Sequence, residues 1–251
     1  AAGLALAAFG AATAAMAQVW ITPPINAPVT LADMTYVDSA AGTGTITTAG
    51  YGLRFFNNYG DTTFSGNIVD NSAARTTEFY TIGADKLTLS GTIDVKRFEV
   101  GNSAGVVLLG SNRLIGADTF LIANAKLTLG GDETLTDISG TGEIAGAATS
   151  ALTLKQGAFY GVISGVDSFT LDKISSGDLY LYGANTFTGL TTIEAGKLIM
   201  GSGGSLDSKY VSIGAGASLA LDNGTAEQLS DQANVQMGTG ATFSLTGNER
   251  I

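Results

Sequence analysis

The sequence contains no cysteine and no histidine. Without cysteine the chain forms neither disulfides nor thiolate metal sites. Histidine is the commonest general base and the commonest zinc ligand, so its absence removes the Ser–His pair and the usual zinc site from consideration. We therefore expect a structural or binding protein rather than an enzyme, and the sequence predicts no catalytic residue, no cofactor and no metal ligand.

Basic residues and proline are scarce as well. There are 12 Lys and Arg against 22 Asp and Glu, giving a formal net charge of −10, and Lys96-Arg97 is the one adjacent basic pair. Nucleic-acid binding needs a basic surface, so no nucleic-acid partner is expected. Three prolines accompany 35 glycines. This balance suits tight turns between short strands and disfavours long helices, where an interior glycine costs roughly 0.5–1 kcal/mol relative to alanine.

Residues 1–17 are uncharged and mostly small and apolar, and they end in Ala15-Met16-Ala17 before Gln18. This small-x-small ending is the pattern that signal peptidases accept. The segment is shorter than the ~20 residues of a membrane-spanning helix and is mostly alanine. It is interpreted as a signal-peptide remnant, with an Ala-rich helical cap or a protein contact as the alternative.

After residue 18 one short unit recurs, an alternating strand that usually ends in glycine. Copies occupy residues 87–91, 106–110, 127–130, 152–154, 179–183, 198–201, 219–221 and 243–247. The segments 211–221 and 235–245 are nearly superimposable. Alternation at period two between Gly and Asn turns is typical of strands, and self-similarity at a period of 20–50 residues is typical of solenoids.

The repeat predicts an all-β, right-handed parallel β-helix of roughly nine to ten coils. One coil of two or three strands with its turns uses about 20–25 residues, and coils must stack because a single coil cannot bury its apolar side. Leu179 and Leu181 should then point inward, and Tyr180 and Tyr182 outward. A β-sandwich has turns every 8–12 residues without this repeat, and a membrane barrel needs longer strands.

Residues 177–206 carry the most specific pattern. The matching positions are Gly183, Asn185, Thr186, Phe187, Thr188, Gly189, Thr191, Thr192, Gly196 and Leu198. They resemble the autotransporter-associated β-strand repeat, with Phe187 in the usual Tyr place. The resemblance implies a secreted passenger domain on the surface of a Gram-negative cell, exported with the help of an outer-membrane barrel. We expect Asn185 either to hydrogen-bond backbone at a corner or to stack on Asn side chains of adjacent coils. The four threonines are expected to project their hydroxyls outward.

Degenerate copies cover most of residues 60–251, which are interpreted as the β-helix repeats. Residues 18–59 match poorly and are interpreted as a lead-in and N-terminal cap. Tyr51, Phe55, Phe56, Tyr59 and Phe64 make an aromatic-dense stretch there. We interpret these residues as covering the core of the first coil, with a partner-binding patch as the alternative. Because the pattern is interrupted at Ile251, the chain is expected to be a fragment or a subunit whose open end is covered.

Carboxylates are the remaining candidates for chemistry. Two groups fall within about one coil each: Asp118, Asp132, Glu133, Asp137 and Glu143, and then Asp167, Asp172 and Asp178. Their Gly, Ser and Thr neighbours are typical of turns, so they are not assigned as catalytic. Residues 57–61 and 130–132 offer oxygen ligands for Ca²⁺, without the spacing of a known calcium loop.

The sequence thus favours a structural and adhesive β-helix that binds molecules on host or neighbouring cells. The first alternative is a subunit that assembles end to end with copies of itself into an extracellular filament or sheath, since an unpaired strand edge invites strand addition. The second is a β-helix enzyme that acts on polysaccharides.

Overall fold

The computed structural model describes residues 19–101, 105–166, 168–222 and 227–246. The regular secondary structure in these residues consists of 29 short strands, and no helix occurs among them. The described part of the chain accordingly contains no helix that is long and apolar enough to cross a membrane. The expected signal remnant at residues 1–17, Asp167 and Ile251 lie outside the described residues.

Three faces make up the solenoid, and from residue 53 to residue 115 and from residue 178 to residue 213 the chain visits them in the order 1, 2, 3. Face 1 contains β1 (Val19–Ile21), β3 (Thr35–Asp38), β5 (Leu53–Phe56), β8 (Glu78–Ile82), β11 (Arg97–Gly101), β14 (Thr119–Ala123), β21 (Asp178–Leu181), β24 (Lys197–Met200), β27 (Ser218–Leu221) and β29 (Thr242–Leu245). Face 2 contains β6 (Thr62–Phe64), β9 (Lys86–Leu89), β12 (Gly105–Leu108), β15 (Lys126–Leu129), β17 (Glu143–Gly146), β19 (Val162–Gly165), β22 (Ala184–Asn185) and β25 (Ser205–Leu206). Face 3 contains β2 (Val29–Thr30), β4 (Ile46–Thr47), β7 (Ile68–Val69), β10 (Ile93–Asp94), β13 (Leu114–Ile115), β20 (Thr170–Lys173), β23 (Leu190–Ile193), β26 (Tyr210–Ile213) and β28 (Asn234–Met237).

Two longer strands, β16 (Glu133–Gly140) and β18 (Ala151–Phe159), run without a break from face 3 into face 1. The first half of β18 pairs with β20 on face 3, and its second half pairs with β21 on face 1. These two strands therefore join face 1 and the C-terminal part of face 3 into one 16-stranded sheet, whereas the face 3 strands β2, β4, β7, β10 and β13 form a separate five-stranded sheet.

Parallel pairing between successive coils confirms the predicted parallel β-solenoid, with about 11 turns against the nine to ten expected. At a strand spacing of ~4.8 Å this gives a rod on the order of 50 Å long. The near-identity of the segments 211–221 and 235–245 is matched by their register, in which Val211 pairs with Val235 and Leu219 with Phe243.

The core is a column of inward side chains from all three faces. Phe79 and Phe98, from neighbouring coils of face 1, stack with ring centroids 5.0 Å apart and planes 3° from parallel. Phe55 meets Phe79 edge to face at 5.1 Å. In most strands alternate residues point into this column, so the apolar–polar alternation of the sequence is the direct cause of the fold.

Glycine columns mark two of the corners. At the corner between faces 1 and 2, a Cβ on Gly161 would lie 1.8 Å from the carbonyl oxygen of Gly142, and one on Gly183 would lie 1.8 Å from that of Gly161. At the corner between faces 2 and 3, a Cβ on Gly66 would lie 1.9 Å from the oxygen of Gly44. Backbone approaches backbone so closely here that any side chain is excluded.

Parallel pairing extends N-terminal of residue 60, where the sequence suggested a less regular cap. Strands β1, β3 and β5 pair in register on face 1, and β2 and β4 pair on face 3. The aromatic-dense stretch is divided by the alternation: Phe55 and Phe64 are in the core, Phe56 packs on the outer surface, and Tyr51 and Tyr59 are exposed. The stretch therefore supplies two side chains to the core and three to the outer surface, and it does not cover the first described coil.

The last described coil is less covered than the others. Met237 is 48% and Leu245 44% exposed, whereas their register partners Ile213 and Leu221 in the preceding coil are buried. Both side chains point inward, but no further described strand pairs with their strands and covers them.

Candidate functional site

Residues 177–206, which carry the most specific sequence pattern, contain the strands β21 to β25. Leu179 and Leu181 are fully buried, and Tyr180 and Tyr182 lie on the outside, as the alternation predicted. Phe187 is buried in the core and meets Phe169 edge to face at 5.5 Å. The aromatic position of the motif is therefore a core position.

Asn185 occupies a corner and is completely buried. Its amide nitrogen donates to the carbonyl oxygens of Gly183 and Ser205, both at 2.9 Å. Its amide oxygen accepts from the backbone N–H of Ile163 at 3.0 Å. The predicted role of Asn185 as a backbone-binding corner residue is confirmed.

The threonines of the motif do not all face outward as expected. Thr186 is exposed, and Thr188 and Thr192 are half-buried, but Thr191 is fully buried and its hydroxyl lies 2.6 Å from that of Ser208. Thr191 shares parity with Ile193 on β23, so it points inward, and a second buried hydroxyl satisfies it.

Lys173 is a buried residue that the sequence analysis missed. It is 0% exposed, and its ammonium group donates to the carbonyl oxygens of Ser175 and, at 3.0 Å, Ala195. Burial lowers the pKa of this ammonium group, an effect that the nearby Asp178 charge opposes. The sequence did contain a signal for this burial: Lys173 lies two residues after the buried Leu171 in β20, so both side chains point inward.

Three tyrosines form a stacked group on the outside. The Tyr160 and Tyr182 rings are 4.3 Å apart and 5° from parallel, and the Tyr180 and Tyr182 rings are 6.2 Å apart. A Cβ on Gly201 would lie 2.3 Å from the Tyr182 ring, so the ring of Tyr182 lies directly against the next coil. Burial, together with the neighbouring Tyr160, raises the pKa of Tyr182.

The first group of candidate carboxylates is spread over the solenoid. Asp132 and Glu133 lie at the start of β16 on face 3, Asp137 lies towards face 1, and Glu143 lies on face 2. Asp118 is exposed, 4.0 Å from Lys96. The Glu143 carboxylate accepts from Ser164 at 2.6 Å and Lys126 at 2.9 Å, and these bonds outweigh burial and lower its pKa.

Glu133 is the buried member of that group. Its carboxylate accepts from the backbone N–H groups of Arg113, at 2.6 Å, and Leu114, at 3.2 Å. Burial nevertheless raises the pKa of Glu133. Because both oxygens bind backbone of the preceding coil, we interpret this carboxylate as a link between coils.

In the second group, Asp172 lies on face 3 and Asp178 on face 1, so they point to different surfaces. Burial raises the pKa of Asp172, against a hydrogen bond from Thr192. Asp178 does share a shallow cleft of about 430 Å³ with Asp137, Gln156 and Tyr180. The amide of Gln156 donates to Asp137 at 3.5 Å, between the two carboxylates.

The oxygen atoms considered for Ca²⁺ already have protein donors. Asn57 accepts from Thr62 at 2.6 Å, and Asp61 accepts from the backbone and the ammonium group of Lys86, both at 2.9 Å. The side-chain hydrogen bond from Lys86 lowers the pKa of Asp61. Asp132 accepts from the backbone of Ala151 at 2.8 Å. Within the described ranges no three His, Cys, Asp or Glu residues come together as a metal site.

The stack of parallel coils defines the structural class as a β-solenoid. Comparison with protein families adds that residues 171–200 match the passenger-associated-transport-repeat family. This match and the β-solenoid fold are consistent with an autotransporter passenger with β-strand repeats. Comparisons with curated proteins and with solved structures give no match to the chain.

Proposed function

We propose that this chain is the structural and adhesive body of a secreted autotransporter passenger, displayed on the surface of a Gram-negative cell and without catalytic activity. The observation that carries the proposal is the repeat-family match at residues 171–200, whose strands continue in register into the coils before and after them. The matched coil is one layer of a continuous rod, and the rod is the structural element that is displayed.

The contacts of each coil suit a chain that must fold after crossing a membrane. Each strand pairs with strands of the preceding and following coils, about 20 residues away in sequence, as in the series Gly105, Lys126 and Glu143 on face 2. In such a repeat, each new coil is stabilised by the coil next to it, so folding can propagate along the rod. The outer surface of the rod is then available for binding.

Surface display is tested on intact cells that produce the natural protein. We expect added protease to release peptides from residues 19–246 into the medium, while a periplasmic marker protein stays intact. Peptides that appear only after lysis would contradict display. Adhesion is tested by adding beads coated with the purified chain to a panel of host and bacterial cells. We expect the beads to bind, and excess soluble chain to compete with them. Equal binding by albumin-coated beads would contradict adhesion.

In the filament alternative, a second copy stacks on the last described coil, where the inward residues Met237 and Leu245 are exposed. Stacking of a second copy on this coil would cover them and pair its strand edge. Electron microscopy of the purified protein distinguishes the passenger proposal from the filament alternative. The passenger proposal predicts separate rods of fixed length. Long filaments that disappear in a Leu245→Lys variant would favour assembly instead.

The cleft shared by Asp137 and Asp178 is the place to test the enzyme alternative. Incubation with acidic polysaccharides is expected to release no sugar. Release that Asp137→Asn abolishes, with Asp118→Asn as the control outside the cleft, would replace the structural proposal by an enzymatic one.

A further inference from the structure

Face 1 carries a second cleft near the N-terminal end of the described chain. Its volume is about 290 Å³, near the lower end for small-ligand pockets. The buried Phe79 also lines this cleft, which we name the Gly52 cleft. Its outward residues are Met34, Gly52, Arg54, Glu78, Tyr80 and Glu99.

The cleft exists because Gly52 has no side chain, whereas the preceding and following coils place the side chains of Met34 and Glu78 at the equivalent position. Met34 and Gly52 immediately precede β3 and β5, and Glu78 is the first residue of β8. Each of the three lies one position before the register-paired residues Thr35, Leu53 and Phe79. A Cβ on Gly52 would lie 3.6 Å from Met34 and 3.9 Å from the Glu78 carbonyl oxygen, both ordinary contact distances. Unlike the corner glycines, Gly52 is not required by backbone packing, and its effect is to leave space.

A guanidinium donor group and a carboxylate acceptor group both line this space. Neither the Arg54 guanidinium nor the Glu78 carboxylate has a hydrogen-bond or ion-pair partner among the described residues. The Arg54 guanidinium carbon lies 5.6 Å from the Tyr80 ring centroid. Glu99 is paired with Arg97 at 3.0 Å, so its charge is balanced.

An aromatic surface continues from the cleft towards the N-terminal coil. The rings of Trp20, Tyr36 and Phe56 lie 5.2 to 5.8 Å from one another, and Trp20 is 41% exposed. The Tyr36 hydroxyl contacts the Met34 sulfur at 3.5 Å, which makes this surface continuous with the cleft. Cleft and aromatic surface together extend over five successive coils of face 1, from Trp20 to Glu99.

We propose that the Gly52 cleft and the adjoining aromatic surface bind a neutral oligosaccharide. Each sugar hydroxyl both donates and accepts, so neighbouring hydroxyls need a donor such as Arg54 and an acceptor such as Glu78 in one place. The C–H faces of sugar rings are apolar and contact Met34 and the aromatic rings. A sugar ring that enters the cleft places its hydroxyls between Arg54 and Glu78, and the rest of the glycan lies along Tyr36 and Trp20.

Charge distinguishes this ligand from others. A sulfated or sialylated glycan would bring its anion next to Glu78 and Glu99, and a cationic peptide would bring its charge next to Arg54. With Glu99 paired to Arg97, the described residues that line the cleft include one cation, Arg54, and one anion, Glu78, without an ion-pair partner among the described residues. A ligand without net charge that offers many hydroxyls satisfies both of them.

The inference deepens the proposed adhesive function, but its test uses the isolated chain. The purified full chain is applied to a printed array of neutral, sialylated and sulfated oligosaccharides, and the best neutral binder is then titrated calorimetrically. Gly52→Val fills the cleft, and Arg54→Gln and Glu78→Gln each remove one free charge. Gly105→Val is the matched control, because a Cβ on Gly105 on face 2 also meets only an ordinary contact at 3.9 Å. Circular dichroism verifies that all variants fold.

We expect neutral oligosaccharides to bind wild type and Gly105→Val equally, and Gly52→Val and Arg54→Gln at least tenfold more weakly. No binding to neutral glycans, a preference for sulfated or sialylated ones, or undiminished binding by folded Gly52→Val would each overturn the inference. If cells adhere equally with Gly52→Val, the site is wrong while the adhesive function stands. If the isolated chain binds glycan but the chain is not displayed, the proposed function is wrong while the site stands.

Discussion

The side-chain oxygen of Asn185 accepts a hydrogen bond from the backbone N–H of Ile163, 3.0 Å away in the preceding coil. The same side chain donates to Gly183 in its own coil and to Ser205 in the following one. One buried amide thus links three successive coils, with its donors and acceptor all satisfied. This explains in physical terms why the repeat has Asn at that corner.

Replacement of this amide should be costly. Asn185→Ala removes three buried hydrogen bonds and leaves the Ile163 N–H without its partner, so we expect the free energy of unfolding to fall by about 2–4 kcal/mol. Asn26→Ala, at an exposed position, is the matched control, with an expected change within about 0.5 kcal/mol. Urea titration followed by circular dichroism measures both. Equal midpoints for the two variants would show that the corner amide is not a link between coils.

The glycine column at the corner between faces 1 and 2 gives a second prediction. Gly161→Ala places a Cβ against the Gly142 carbonyl oxygen, so successive coils must separate, and we expect a loss of about 3 kcal/mol or more. Gly105→Ala serves as the control, since its Cβ meets no close atom. Thermal unfolding of both variants is the measurement. If Gly161→Ala and Gly105→Ala unfold at the same temperature, the coils do not approach each other as closely at Gly161 as the structure shows.

Asp70 predicts a specific pH dependence. Burial raises the pKa of Asp70, but hydrogen bonds from Ser72 and Thr77 outweigh it and lower the pKa from 3.8 to about 2. A carboxylate with a lowered folded-state pKa stabilises the fold above its unfolded pKa, and this stabilisation is lost as the pH falls from 3.8 to 2. The shift corresponds to about 2 kcal/mol.

We therefore expect Asp70→Asn to be less stable than wild type at pH 6, and the difference to shrink steadily as the pH is lowered below 4. Urea midpoints at a series of pH values between 6 and 2 measure this. A difference that stays constant over that range would mean that the Asp70 carboxylate does not carry the stabilisation.

The phenylalanine column is tested by cavity formation. Phe79 contacts both Phe55 and Phe98 in the core, so Phe79→Ala should lower stability by about 3–5 kcal/mol. Tyr59, which is 80% exposed, gives the aromatic control Tyr59→Ala, with little expected change. The free energy of unfolding is compared for the two variants. Similar losses would indicate that residue 79 is not in the core.

The alternation of apolar and polar residues made the architecture predictable from the sequence. Parity alone places Leu179 and Leu181 inside and Tyr180 and Tyr182 outside, and the spacing of copies gives the coil length. The same parity rule also places Lys173 and Thr191 inside, but their residue types suggested a surface. Their burial depends on partners at the corner, the Ala195 carbonyl and the Ser208 hydroxyl, which are distant in sequence.

The N-terminal coils were harder to recognise for a different reason. Strands such as β2 and β4 have two residues, too few for alternation to be visible, and the family motif is absent there. Their pairing follows from the coils stacked beside them. The Gly52 cleft was not predictable either, because Arg54, Glu78 and Glu99 come together only through the register of neighbouring coils.

Register is the central claim, and the absence of cysteine allows it to be measured directly. Thr88 and Val107 are partners on adjacent strands of face 2, about 4.8 Å apart, while Thr128 is one coil further, about 9.6 Å from Thr88. The double variants Thr88→Cys/Val107→Cys and Thr88→Cys/Thr128→Cys are treated with a short bifunctional thiol reagent and analysed by peptide mass spectrometry. We predict efficient cross-linking of the first pair and little of the second. Equal yields, or a higher yield for the second pair, would contradict the solenoid.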